Sequence, residues 1–587
     1  MSKKQKKIVL YTSPIALLIA LAVLVSYQAK RIDNEALLFA ETGKGVLALF
    51  SEHAAALAEG DLDRTLACYH DDYASPQEGV WVEELESERD GVARYQWSSR
   101  SPGPFSRDDL ANQLGGFLES VGSLSMAKLK LAALEEISRP GAVVVRSILW
   151  LRGERGEGGE AFESHATFRM WLEEGPLGWK ISRRQLLTGE TVTGARQGFV
   201  DVAKDAGLDF STQLNPLFST PEWNPEKFGI LKYGAAGVSA VDFDSDGWDD
   251  LFFGDGQHPR FFRNLGDGTF EDVTEASGLP TTFPSSNAGI FADFDNDGDK
   301  DFFLSGFTEP SRLFANRGDG TFEDVTAAAG LGRGFVVVAA AADYDGDRLL
   351  DLYLGRYLDP RTELPTTLFY TRNSEGNSLL KNEGGLRFRD VTAEAGVREG
   401  GLTLGVAWGD VEGDGDMDLY VANDFGRNAL FANQGDGTFE DVSTESGTLD
   451  FGFGMAATFG DIDDDGDLDL YISNVHSGQR WYGQAPSLSR YLLASVRQRT
   501  IFEDFSTYRE IFSHTGADWR VFGDQMVKGN SLMLNDGEGH FTDVAEVAGV
   551  NPFGWYWGSG MFDYDNDGRQ DVYAVNGWIS GKRTDDL

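Results

Sequence analysis

Between residues 242 and 571 the chain repeats one acidic phrase six times: Asp-x-Asp-x-Asp-Gly-x-x-Asp, followed by an apolar residue. Counting each loop from its first acid, positions 1, 3, 5 and 9 carry carboxylates. They are Asp242, Asp244, Asp246 and Asp250, then Asp293, Asp295, Asp297 and Asp301, then Asp343, Asp345, Asp347 and Asp351. The remaining three loops hold Asp410, Glu412, Asp414 and Asp418, then Asp461, Asp463, Asp465 and Asp469, then Asp563, Asp565, Asp567 and Asp571. Alternate acids on a tight turn place three carboxylates on one concave side. Gly at position 6 allows the sharp bend, position 9 closes the cage, and position 7 turns its backbone carbonyl inward. That carbonyl belongs in turn to Trp248, Asp299, Leu349, Asp416, Asp467 and Arg569. A flexible, multiply anionic set of oxygens suits Ca²⁺ better than Mg²⁺, which demands a small octahedron and keeps its water.

Six such loops lead us to expect about six structural Ca²⁺ ions. Four unneutralised carboxylates in so small a space repel strongly, so metal binding should be coupled to folding. The third loop departs from the pattern, with Arg348 where Gly belongs and Gly346 two places earlier. A left-handed non-Gly residue costs about 1 kcal/mol, so this loop is expected to be the weakest site. An EF-hand is excluded, because that motif needs Glu at position 12 and flanking helices. Here position 12 is apolar, as in Phe253, Leu304 and Ile472.

The loops start at intervals of 51, 50, 67, 51 and 102 residues, which is one unit of about 51 residues interrupted twice; a period of that size signals a solenoid or propeller. Short β-forming runs flank every loop, as in Val238–Val241 before and Leu251–Phe253 after the first. A third run such as Arg312–Ala315 leads into an Asn-x-Gly-Asp-Gly-Thr turn. The fourth run is an arm, Phe-Glu-Asp-Val-Thr-x-x-x-Gly-Leu, clearest at Phe270–Leu279 and Phe322–Leu331. Four strands with tight Gly turns make a propeller blade. The expected fold is therefore mainly β: a propeller of six counted units, with six or seven blades, over residues 196–578. An isolated arm, Phe199–Leu208, is available to close the ring against Asp571–Asn576, since a blade built from both chain ends removes the open edge.

These loops and arms together resemble the FG-GAP/VCBS-repeat family, in particular the branch related to cartilage acidic protein and UnbV. The resemblance covers residues 198 to about 578 and implies an extracellular, calcium-bearing propeller like that of integrin α-subunits, used in adhesion or binding. It would also call for the C-terminal domain usual in the UnbV-like branch, for which the residues after Gly577 are too few.

Composition narrows the partners. A formal charge of −43 argues against nucleic acid. The single cysteine, Cys68, excludes an intrachain disulfide framework and any cysteine-based zinc cluster. Lys3, Lys4, Lys6 and Lys7 precede an uncharged stretch, Ile8–Ala29, with no good small-x-small cleavage site. Residues 1–7 are thus expected in the cytoplasm and 8–27 as a signal anchor, with the body periplasmic or at the cell surface. A cleaved signal, and hence a secreted protein, is the alternative.

Residues 36–190 read as an α+β module: helical patterns over Leu37–Leu57, Leu62–Cys68 and Arg107–Val121 precede alternating runs from Ala127 to Arg183. The stretch from Phe50 to Ala74 resembles the opening of NTF2-like cone domains, some of which are isomerases or dehydratases. In such a cone His70, Asp71, Asp72 and His165 could line the interior, although they read more simply as solvated residues. Residues 475–527 interrupt the fifth unit, with two helical patterns and Arg480, Arg490, Arg497 and Arg499 among Trp481, Tyr482 and Tyr491. That is the composition of interface hot spots, and the residues around Arg361, Tyr370 and Arg372 could share its face. Arg317-Gly318-Asp319 spells an adhesion tripeptide but falls in a turn whose first residue varies between units.

The function expected from the sequence is a membrane-anchored, exported binding, adhesion or scaffold protein for a protein or glycan, and not an enzyme. The alternatives are a propeller-type polysaccharide lyase or hydrolase and a cone-domain isomerase.

Overall fold

The computed structural model describes residues 42–576 apart from 77, 90–91, 101–104, 140, 157–158, 177, 195–201, 211–236, 255–256, 284–285, 333, 360–370, 477–527, 553 and 565–566. The apolar run Ile8–Ala29, residues 477–527 with their expected helices, Arg361, Tyr370 and Asp565 lie outside this set. No helix among the described residues is long and apolar enough to cross a membrane. The chain divides into two compact units between Val200 and Asp201.

In the first unit, a helix over 42–58 buries Val46, Leu49, Phe50, Ala54 and Leu57, one apolar face at helical spacing. Gly60 ends it at φ +70°, and Asp61 caps Leu62–Ala67 by accepting the Arg64 N–H at 2.9 Å. Ser106 and Asp109 form a reciprocal capping box at the start of Arg107–Ser120. A six-stranded antiparallel sheet follows, in the order 80–89, 92–100, 178–194, 160–175, 142–155, 121–139. Its Val143, Val145, Phe168, Met170 and Ile181 share one core with the helices. The hairpin Val80–Arg89/Val92–Arg100 has no counterpart in the sequence reading. Its Glu-rich first strand, WVEELESER, carries little apolar signal and is held by pairing with 92–100, which itself pairs with residues about 100 positions later.

Among the described residues the second unit contains five antiparallel four-stranded sheets, built from residues 238–272, 286–324, 336–390, 402–441 and 456–543, and the hairpin Gly554–Phe562/Asp571–Asn576, whose first strand also pairs with Val475–His476. Consecutive sheets pack through their first strands. Between the first two, Phe252, Phe261, Phe291, Phe302 and Phe322 interlock, with the Phe291 and Phe302 rings 4.4 Å apart. Every acidic loop joins the first strand of its sheet to the second, so all six recur at the same corner. In the fifth sheet 477–527 falls between the second and third strands, and the four strands pair without it. The 102-residue interval is thus one ordinary unit plus an insertion.

The arms of the first four sheets each end in a left-handed Gly packed on the next sheet. Gly278, Gly330 and Gly396 have φ of +81°, +75° and +80°, and a Cβ on Gly330 would lie 2.5 Å from the Phe388 carbonyl oxygen. The Phe322 N–H donates to Ser277 O at 2.8 Å and the Phe541 N–H to Ser446 O at 2.7 Å. The isolated arm docks in the same way, with the Phe270 N–H donating to Ala206 O at 2.8 Å beside Gly207. Residues 202–208 therefore stand on the first sheet where a preceding blade would place its arm.

Candidate metal centres

The loop reversal is organised by its own acids. Asp242 accepts the Asp246 and Gly247 N–H groups, both at 3.0 Å, and Asp246 accepts the Trp248 N–H at 2.9 Å. The same bonds recur from Asp293, Asp410, Asp461 and Asp563. Position 6 is left-handed throughout, at φ +89° to +99° for Gly247, Gly298, Gly415, Gly466 and Gly568 and at +69° for Arg348. Position 4 is left-handed too, in Ser245, Asn296, Gly346, Gly413 and Asp464. Gly346 is therefore not a displaced position-6 glycine. It serves its own left-handed position, and Arg348 bears the strain at the next.

The carboxylates converge. In the loops of Asp242, Asp293, Asp343 and Asp461, the acids at positions 1, 3 and 5 bring ligand oxygens within 4.8 Å of one another. Four oxygens in these cages are buried without a hydrogen-bond partner: Asp244 Oδ1, Asp295 Oδ1, Asp343 Oδ1 and Asp345 Oδ1. A buried carboxylate oxygen without a donor is costly, and a hard cation would satisfy it. Burial, then the neighbouring acids, raise the carboxyls of Asp244, Asp295 and Asp463 above the ordinary range. The donor set thus fits a divalent, oxygen-preferring ion. In the fourth loop Glu412 is raised by burial and then by Asp414.

Position 9 has a second job that spacing did not reveal. Asp301, 1% exposed, accepts the Phe294 N–H at 3.1 Å and the Asn316 N–H at 3.0 Å, one on each oxygen. Asp250, Asp351, Asp418 and Asp469 repeat the arrangement. The Asn side chain then reaches the preceding loop: Asn316 Nδ2 donates to Phe243 O, Asn382 to Phe294 O, Asn433 to Tyr344 O and Asn535 to Val411 O, at 2.7–3.1 Å. The second to fifth sheets each clamp the preceding sheet's loop.

Residues 242–304, 293–354, 410–472 and 516–574 match the FG-GAP-like repeat family. The chain carries FG-GAP-like repeats. Cartilage acidic protein 1 of mouse is 26% identical over 272 residues, which are 43% of this chain and 41% of that protein. The human protein is 28% identical over 201 residues, 33% of this chain and 29% of its own. The chain thus spans about two-fifths of the mouse protein's length. Among solved structures, hexachlorocyclohexane dehydrochlorinase LinA-type3 of Novosphingobium barchaimii is similar at 14% identity and TM-score 0.21, over 28% of this chain and 98% of that one.

Burial raises the position-9 carboxyls of the FG-GAP loops to about 6 in Asp250 and about 7 in Asp301, Asp351 and Asp418. In metal-free protein the folded state therefore holds protons that the unfolded chain has lost, so stability rises as pH falls from above 7 toward 4. Cation binding needs the same groups ionised, so affinity falls over that window. The increment in melting temperature given by calcium is expected to shrink steadily between about pH 7.5 and 5.5; a pH-independent increment in calorimetry would contradict this.

The N-terminal candidates do not come together. His70 bonds the exposed Asp72, Asp71 is exposed, and His165 lies outside the core against Glu163 at 3.1 Å and the Trp150 edge. The interior polar group is a different one. Arg184, 2% exposed, donates to Glu78 Oε1 at 2.5 Å and Tyr69 Oη at 2.7 Å, with the Trp81 ring 3.9 Å from its guanidinium. His53 meets the same Tyr69 hydroxyl at 3.0 Å, and Tyr73 donates to Glu78. Burial, and then Arg184, push His53 down to about 3, so it is neutral. No local motif links positions 53, 69, 78 and 184. The Arg-Gly-Asp turn is occupied structurally, with Asp319 accepting from Thr321 and Arg317 paired to Glu323.

Proposed function

We propose that the FG-GAP unit is a closed, calcium-loaded β-propeller whose role is to bind a protein or glycan partner outside the cytoplasm, held at a membrane through residues 8–27. The observation that carries calcium is the recurrent cage with its unpartnered, buried carboxylate oxygens. Asp242, Asp244, Asp246 and Asp250 and their counterparts would hold the ion, which would neutralise the loop and fix the corner between first and second strands.

Closure is supported by two features. Large apolar side chains left exposed gather on the first sheet, in Val238 and Trp248, and on the last hairpin, in Phe562, Tyr564, Tyr573 and Val575. The clamp that Asn316, Asn382, Asn433 and Asn535 make has a free counterpart at each end. Asn264 Nδ2 donates only within its own sheet, to Asp249 O, and the last loop offers Tyr564 O. Bringing the hairpin onto the first sheet would bury the exposed rings and allow Asn264 to add one clamp to the series.

Binding is assigned to the face carrying 475–527, where Arg and aromatic residues stand in an otherwise acidic chain. Affinity capture from solubilised native membranes with the full chain should recover a stoichiometric protein or glycan in calcium. Replacing 477–527 by a short Gly-Ser linker should abolish recovery without lowering the melting temperature. Undiminished recovery would refute this face.

A further inference from the structure

The third FG-GAP loop differs from its sisters in three respects. Arg348 occupies position 6 at φ +69°. Asp343 accepts the Arg348 N–H at 2.8 Å, but the position-5 bond made by the other first acids is missing, and Asp343 Oδ1 is buried without a partner. Third, a cation of the chain's own enters the cage. Lys381, on the third strand of the same sheet, donates from Nζ to Asp345 and, at 2.9 Å, to Asp347 Oδ2.

The equivalent strand positions, one residue before each clamping Asn, hold Ala315, Ala432 and Leu534, which bring no charge. Arg263 in the first sheet is the nearest parallel. It lies 3.1 Å from Asp244 alone and does not reach Asp246. Lys381 instead joins positions 3 and 5, two of the three converging acids of the cage. A calcium ion sits about 2.4 Å from its oxygens, so both cations on one pair of carboxylates would be close enough to repel strongly.

We propose that Lys381 is the resident cation of the third loop: this corner closes on an ammonium, and calcium enters only by expelling that side chain. The inference rests on calcium filling the sister loops. It gives the unit one corner that stays pinned when calcium is withdrawn.

Tight calcium equivalents are counted by metal analysis and titration calorimetry on the full chain. Lys381→Met should bind one more tight equivalent than the parent, or tighten one weak site at least about tenfold. Asp461→Ala should lose one equivalent and Asp343→Ala none. Loss of one equivalent in Asp343→Ala, with Lys381→Met unchanged, would overturn the ammonium and leave the calcium reading standing. Failure of the parent to bind calcium would remove both. Should Lys381→Met not fold, the Asp343→Ala count decides alone.

Discussion

Chelation of the purified protein is expected to lower the melting temperature of the FG-GAP unit by more than about 20 °C. An ion that binds only the folded state at about 100 times its Kd contributes about 2.7 kcal/mol. Five loops filled in this way exceed 10 kcal/mol, and for a domain of several hundred residues each kcal/mol moves the midpoint by about 2 °C. The cause is local. Without a cation, carboxylates at positions 1, 3 and 5 face one another within 4.8 Å, and burial and mutual repulsion hold several above their ordinary range. The first-unit core, built around Phe50, Phe168 and Ile181, contains none of these loops and should melt unchanged. Calorimetry resolves the two transitions, and a chelator-insensitive second transition would end the calcium reading.

Asp301→Ala is expected to destabilise by about 3–5 kcal/mol even in chelator, because it leaves two buried N–H donors, those of Phe294 and Asn316, without acceptors. Asp295→Ala should behave oppositely. In chelator it removes one of the repelling acids and leaves stability unchanged or raised, and only in calcium does it cost stability. The contrast separates two roles within one loop: Asp295 is expected to serve the ion, while Asp301 also ties the loop to the third strand. Denaturant unfolding of both variants, with and without calcium, measures it. Equal losses for the two in chelator would show that position 9 has no structural role of its own.

Much of the repeat unit was legible beforehand because its determinants are short-range. A β-run, a nine-residue acidic turn and another β-run within about 20 residues prescribe a hairpin with a cage at its corner, and recurrence shows the cage is used repeatedly. The first unit was less legible. Its helices were marked by their helical patterns over Leu37–Leu57, Leu62–Cys68 and Arg107–Val121, but the Glu-rich hairpin 80–100 carried little apolar signal. His70, Asp71, Asp72 and His165, which could have lined a cone but read more simply as solvated, face outward. The turn that sets them and the strand register put Arg184 inside instead.

The chain's local order determined the strands, the acidic corners and the identity of the acids, because spacing along a turn is geometry that three or four peptide units carry unaided. The tertiary structure decided which groups meet those corners from outside. Asn382 crosses 88 residues to the preceding loop, Lys381 reaches Asp345 over 36, and Arg184 joins Tyr69 over 115. Such contacts depend on which strands become neighbours and with what register, and that is settled by the packing of whole sheets rather than by any residue's immediate surroundings.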